Sequence, residues 1–152
     1  MASTDRDLVE WLRTQLDADE QAATEAAASA KVDESNDGTR WTVDNDGCCV
    51  VLDVPAEQRL TGDCGGPLVV DGCGWRVAEH IALHDPDAVL ADIAARRRIV
   101  DECWEVLEFS SEYFTVESCD EVEAVLAQHV LERLAARYAR RSGYREEWAP
   151  DR

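Results

Sequence analysis

The sequence predicts an α+β protein with a long N-terminal helix, a small antiparallel sheet of about three strands, and a C-terminal bundle of two to three helices. Three patterns carry that prediction. Apolar residues recur every fourth position near the start, short runs rich in Val, Thr, Trp and Cys flank a tight-turn sequence in the middle, and helical periodicity returns from Val77. At 152 residues the chain has the length of one domain and can bury a core without staples, so 1–152 is read as a single domain.

The first helix is expected over residues 5–30. Leu8, Leu12 and Leu16 make one narrow apolar stripe that continues through Ala23 and Ala26, and Thr4 with Asp7 resembles a capping box. Its second half, QAATEAAASA, is alanine-rich, so propensity rather than burial favours helix there. KVDESNDGTR then reads as an exposed loop.

The hairpin region spans 41–70. Asp44-Asn45-Asp46-Gly47 tolerates the positive φ of a tight turn and would join a strand at Trp41–Val43 to one at Cys48–Val54. A third strand at Pro67–Val70 opens on a proline, which suits an edge position. The helical region, 77–141, divides into Val77–His84, Pro86 to about Phe109, and Cys119 to about Arg141. Ser118 and Glu121 form a capping box for the last of these, and Gly143 offers its stop. In the tail, 142–152, Tyr144 and Trp148 are two aromatics that would dock if ordered.

The formal net charge is −18, with 20 acidic and 6 basic side chains in residues 1–92 and 13 acidic and 9 basic in residues 93–152. Asp101 to Glu123 contains nine acids and no Lys or Arg. Direct binding to a phosphate backbone is therefore not expected, whereas approach to a basic partner or imitation of nucleic acid is compatible with the charge. No apolar run is long enough to span a bilayer, and the N-terminus lacks a secretory pattern, so a cytoplasmic protein without membrane attachment is expected. Six cysteines without a CxxC pair read as reduced thiols, mostly small apolar fillers.

The stretch EHIALHDPDAVLADIAARRRIVDE, Glu79–Glu102, concentrates the residues that could carry chemistry. His80 and His84 are one helical turn apart and share a face, the spacing by which helical histidines bind zinc, and Asp85 could add an oxygen. Ile81 stands where the metalloprotease motif needs a glutamate. The competing reading is architectural. Asp85 precedes a proline, so it is pushed out of the α region, ends one helix near His84, and caps the next with Pro86 in its first turn.

On a helical wheel Val89, Ile93, Val100, Trp104 and Leu107 fall on one arc, and Arg96 falls inside it while Arg98 points away. Arg96, with Arg97 beside it, is read as a structural ion pair or an anion clamp. His129 shares a face with Val122, Val125 and Leu126 and reads as a hydrogen-bonded core histidine. Leu131, Leu134 and Tyr138 lie on the other side, and a helix apolar on two faces is central or sits in a homodimer interface. No phosphate-cradling loop, no GxSxG and no local cysteine-histidine signature is present, so no catalytic residue is assigned.

The runs EHIALHDPDAVLADIAARRRIVDE and LAARYARRSGYREEW, with the opening DLVEWLRTQLDADEQAA, resemble a family of small proteins of unknown function encoded by actinobacteria and their phages. The recurring letters match at His80, Ile81, Ala82, His84, Asp85, Pro86, Leu90, Ile93, Arg97, Arg98, Ile99, Gly143, Tyr144, Glu147 and Trp148. Arg96 stands where a lysine is usual, and the cysteines are not part of the pattern. The resemblance brings no activity with it. The expected function is a non-enzymatic protein-interaction or regulatory module, with a mobile element as its source. The alternatives are a small metal-binding protein or enzyme using His80, His84 and Asp85, with zinc as cofactor, and an acidic nucleic-acid mimic that inhibits a DNA-binding protein.

Overall fold

The computed structural model describes residues 3–31, 38–44, 47, 49–54, 66–112 and 120–150. The elements are α1 (Ser3–Ala30), β1 (Trp41–Val43), β2 (Val50–Leu52), β3 (Leu68–Val70), α2 (Trp75–Leu83), α3 (Pro86–Glu112) and α4 (Asp120–Ala136), with a 3-10 turn at Glu146–Trp148. This is the predicted α+β order of helix, antiparallel sheet and helices. The chain divides into two compact units, one of Met1–Ala18 with Ala94–Arg152 and one of Asp19–Ile93; α1 and α3 contribute to both.

In the first unit the leucine stripe becomes core. Leu8, Val9, Leu12 and Leu16 are buried, as are Val100 and Leu107 of α3 and Ala127, Leu131 and Ala135 of α4. Each buried leucine contributes about 1.5–3 kcal/mol relative to exposure. Charge pairs flank this core: Arg97 donates to Asp17 at 2.6 Å, Arg13 to Asp101 at 2.7 Å, and the Arg6 guanidinium lies 5.9 Å from the Trp104 ring centroid. The pairs climb α1 as they descend α3, so the two helices run antiparallel. The capping box expected at Thr4 does not form at that position, because the helix already includes Ser3 and Asp7 instead accepts from Arg145 at 2.9 Å. The Ser118 capping box falls outside the described residues.

α4 ends earlier than its periodicity suggests. After Ala136 the backbone tightens into bonds spanning three residues, Tyr138 N–H to Ala135 O at 2.8 Å and Arg141 N–H to Tyr138 O at 2.8 Å. The turn closes at Gly143, whose φ of 82° suits glycine and whose missing side chain leaves room for the Trp11 indole.

In the second unit the sheet order is β1-β2-β3, antiparallel throughout, with Trp41 opposite Leu52 and Val43 opposite Val50. The central strand is buried along its whole length, while β1 is half-buried and β3 partly exposed. β2 is buried at successive positions, and therefore on both faces, which explains why its sequence is a continuous apolar run rather than an alternation. Pro67 sits on the edge as expected, lacking an N–H but offering its carbonyl to Leu52 N–H at 2.9 Å. Gly47 has φ 70° and its N–H donates to Asp44 O at 3.1 Å; a side chain here would collide with the Trp75 ring. α2 packs on β1 and β2.

No helix among the described residues is long and apolar enough to cross a membrane. Cys49, Cys73 and Cys103 are thiols rather than half-cystines. Cys49 is the buried filler anticipated, with its thiol donating to Asp71 Oδ1 at 3.2 Å.

Candidate functional site

The Asp85-Pro86 step breaks the chain into α2 and α3, and it accounts for every backbone donor of the first turn of α3. Pro86 has none to satisfy. Asp87 N–H donates to Thr39 O at 3.1 Å, Ala88 N–H to Asp85 Oδ1 at 2.8 Å, and Val89 N–H to Asp85 O at 3.0 Å. Asp85 Oδ2 accepts the Trp41 N–H at 3.2 Å, so one carboxylate caps a helix and ties its start to β1. Arg40 lies 3.7 Å from Asp87, a weak exposed pair over the same junction. Asp85→Ala is expected to lower stability by about 1–2 kcal/mol, one cap and one part-buried hydrogen bond, read from the midpoint of urea unfolding.

His80 and His84 lie immediately before this junction. Their ring centroids are 4.6 Å apart at an interplanar angle of 68°, and both side chains are exposed. His84 is the residue at which α2 ends, its N–H donating to Ile81 O at 3.1 Å. Both oxygens of Asp85 already accept an amide. Among the described residues no group of three or more His, Cys, Asp or Glu is placed to hold a metal ion.

The arginines separate as the wheel requires. Arg96 is half-buried and its Nη1 donates to Tyr138 Oη at 3.5 Å, while Arg97 forms the ion pair with Asp17 and Arg98 is exposed. Cys103, on the same helix, is half-buried. Burial first, and then the Glu102 carboxylate beside it, push its thiol above the ordinary range, which disfavours the thiolate a nucleophile needs.

α4 corrects the reading of His129. The helix buries Ala127, Leu131 and Ala135, with Tyr138 in the turn that follows. His129 is exposed, and so are its neighbours on that face, Val122 at 71%, Val125 at 48% and Leu126 at 59%. Of two apolar faces, the one without the histidine faces the core. The physical reason is cost: burying the imidazole would require a hydrogen-bond partner, and the Leu131 face requires none.

An aromatic cluster joins the two ends of the chain. Trp11 on α1 stands 5.2 Å from Trp148, 5.7 Å from Tyr144 and 6.3 Å from Tyr138, measured between ring centroids. Its Nε1 donates to Ser142 O at 3.2 Å, and the Arg141 and Arg145 guanidiniums lie over Tyr138 and Trp148. Docking of Tyr144 and Trp148 was legible in the sequence. That Trp11 receives them was not, although a tryptophan beside a leucine stripe on an otherwise acidic helix is a signal.

The fold and these residues define a small acidic α+β protein in which Asp85 joins sheet to helix and a tryptophan cluster joins the chain ends. The chain belongs to DUF6221, a family of unknown function whose model matches residues 5–150. No curated protein and no solved structure matches it.

Proposed function

We propose that this protein is a non-enzymatic interaction module that binds another protein through the outward face of α4. The observation that carries the reading is the exposed stripe of Val122, Val125, Leu126 and His129, opposite the buried side of the same helix. Covering three aliphatic side chains on one stripe removes apolar surface from water, the main favourable term in association. The helical groups that chemistry could draw on support the same reading. The Asp85 carboxylate is engaged by two backbone amides, and burial, then Glu102, push the Cys103 thiol above its ordinary range.

The acidic segment from Asp101 to Glu123 leads into the stripe, and the whole chain carries −18. A partner surface with Lys or Arg around an apolar centre complements both features, whereas a second copy brings like charge. The proposal extends to a cytoplasmic, regulatory role for a protein carried by a mobile element. Affinity purification from the native host, with the native chain and a Val122→Ser/Leu126→Ser variant side by side, tests the proposal. Proteins retained by the native chain and lost from a variant with an unchanged unfolding midpoint are the expected result. An identical set from both chains contradicts it.

A further inference from the structure

We infer that His80 and His84 form a solvent-open, two-point chelate for a late first-row divalent metal ion, with copper(II) or nickel(II) preferred over zinc. The inference is independent of the α4 surface.

It begins from what the junction leaves unused. Of the polar side chains in HIALHDP, Asp85 caps α3 and anchors β1, but neither imidazole makes a hydrogen bond or ion pair among the described residues; their one interaction is with each other. The separation of the two rings matches that of a shared ion. Two imidazoles bound at right angles to one metal, each with a metal–nitrogen distance of about 2.0 Å, have ring centroids about 4.5 Å apart. The observed separation is 4.6 Å. His80 lies on the last turn of α2 and His84 is its C-cap, so the backbone already holds the two imidazoles side by side and the second binds with less ordering than a separate ligand would need. Both rings are exposed, which leaves water free to fill the remaining positions. Two nitrogens plus water oxygens make a tetragonal donor set, which suits copper(II) and nickel(II) better than the closed tetrahedral set of a structural zinc site. The surrounding charge favours cations, with 20 acids against 6 bases in residues 1–92.

The test is titration of the full chain with Ni2+ alone, followed by calorimetry, because Cu2+ would also oxidise thiols. His129 is the internal control, being equally exposed but without a histidine one turn away on α4. One Ni2+ per chain is expected near neutral pH, weakened at least about tenfold by His80→Ala or by His84→Asn. His129→Ala should leave it unchanged. As a second readout, Ni2+ should broaden the imidazole NMR signals of His80 and His84 together and spare those of His129. Binding that survives the double replacement, or that His129→Ala weakens equally, would overturn the inference. Circular dichroism of each variant confirms that α2 is intact.

Discussion

Trp148→Ala should destabilise the protein by about 3–5 kcal/mol, the largest effect expected of any single truncation outside the leucine core. Trp148 is 3% exposed and lies against Trp11 and Tyr144. Removing it leaves a cavity against Trp11 and Tyr144. Arg145, which packs over the indole while pairing with Asp7 at 2.9 Å and with Glu147 at 3.4 Å, loses the surface that orients it. Trp148→Phe should cost far less. The buried Nε1 has no hydrogen-bond partner among the described residues, so a phenyl ring sacrifices area but also removes an unsatisfied donor. Urea unfolding of the two variants separates these terms. A loss for Phe larger than its reduced ring area explains would mean that the indole nitrogen is bonded in solution.

The second large effect is a contrast within one helix. Leu131→Ala should cost about 2–5 kcal/mol, because Leu131 is completely buried and its removal leaves a cavity. Leu126→Ala, five residues earlier and 59% exposed, should change stability by no more than about 0.5 kcal/mol. The same substitution on opposite faces of α4 thus reports directly which face is the core. Similar losses at both positions would mean that the outward stripe is covered in the native protein.

What the sequence made legible was local. Asp85-Pro86 could be read because the steric limit before proline acts on adjacent residues, and the stripe of Leu8, Leu12 and Leu16 because a single narrow face leaves one way to be buried. β2 was recognisable from its apolar run. Arg97 pairs with Asp17, and nothing in the letters selected that partner from so many acids. α4 was misjudged for a specific reason. It carries two apolar faces, periodicity ranks neither above the other, and only the surrounding packing turns Leu131 inward and His129 outward. The meeting of Trp11 with the tail was equally hidden, since its hydrogen bond to Ser142 joins residues 131 positions apart. Arg96 falls between these cases. Its place on the core arc was visible, and the tyrosine hydroxyl that meets it was not.

Architecture absorbs Asp85, Arg97, Gly143 and Trp148, and the outward face of α4 is left for binding. Hydroxyl-radical footprinting of the native 152-residue chain, at a concentration too low for self-association, tests that division most directly. Modification should be strong at Val122, Val125, Leu126 and His129, and weak at Leu131, Tyr138 and Trp148. Protection of Leu126 and His129 to the same degree as Leu131 would contradict the account, because the surface assigned to a partner would already be occupied by the chain itself.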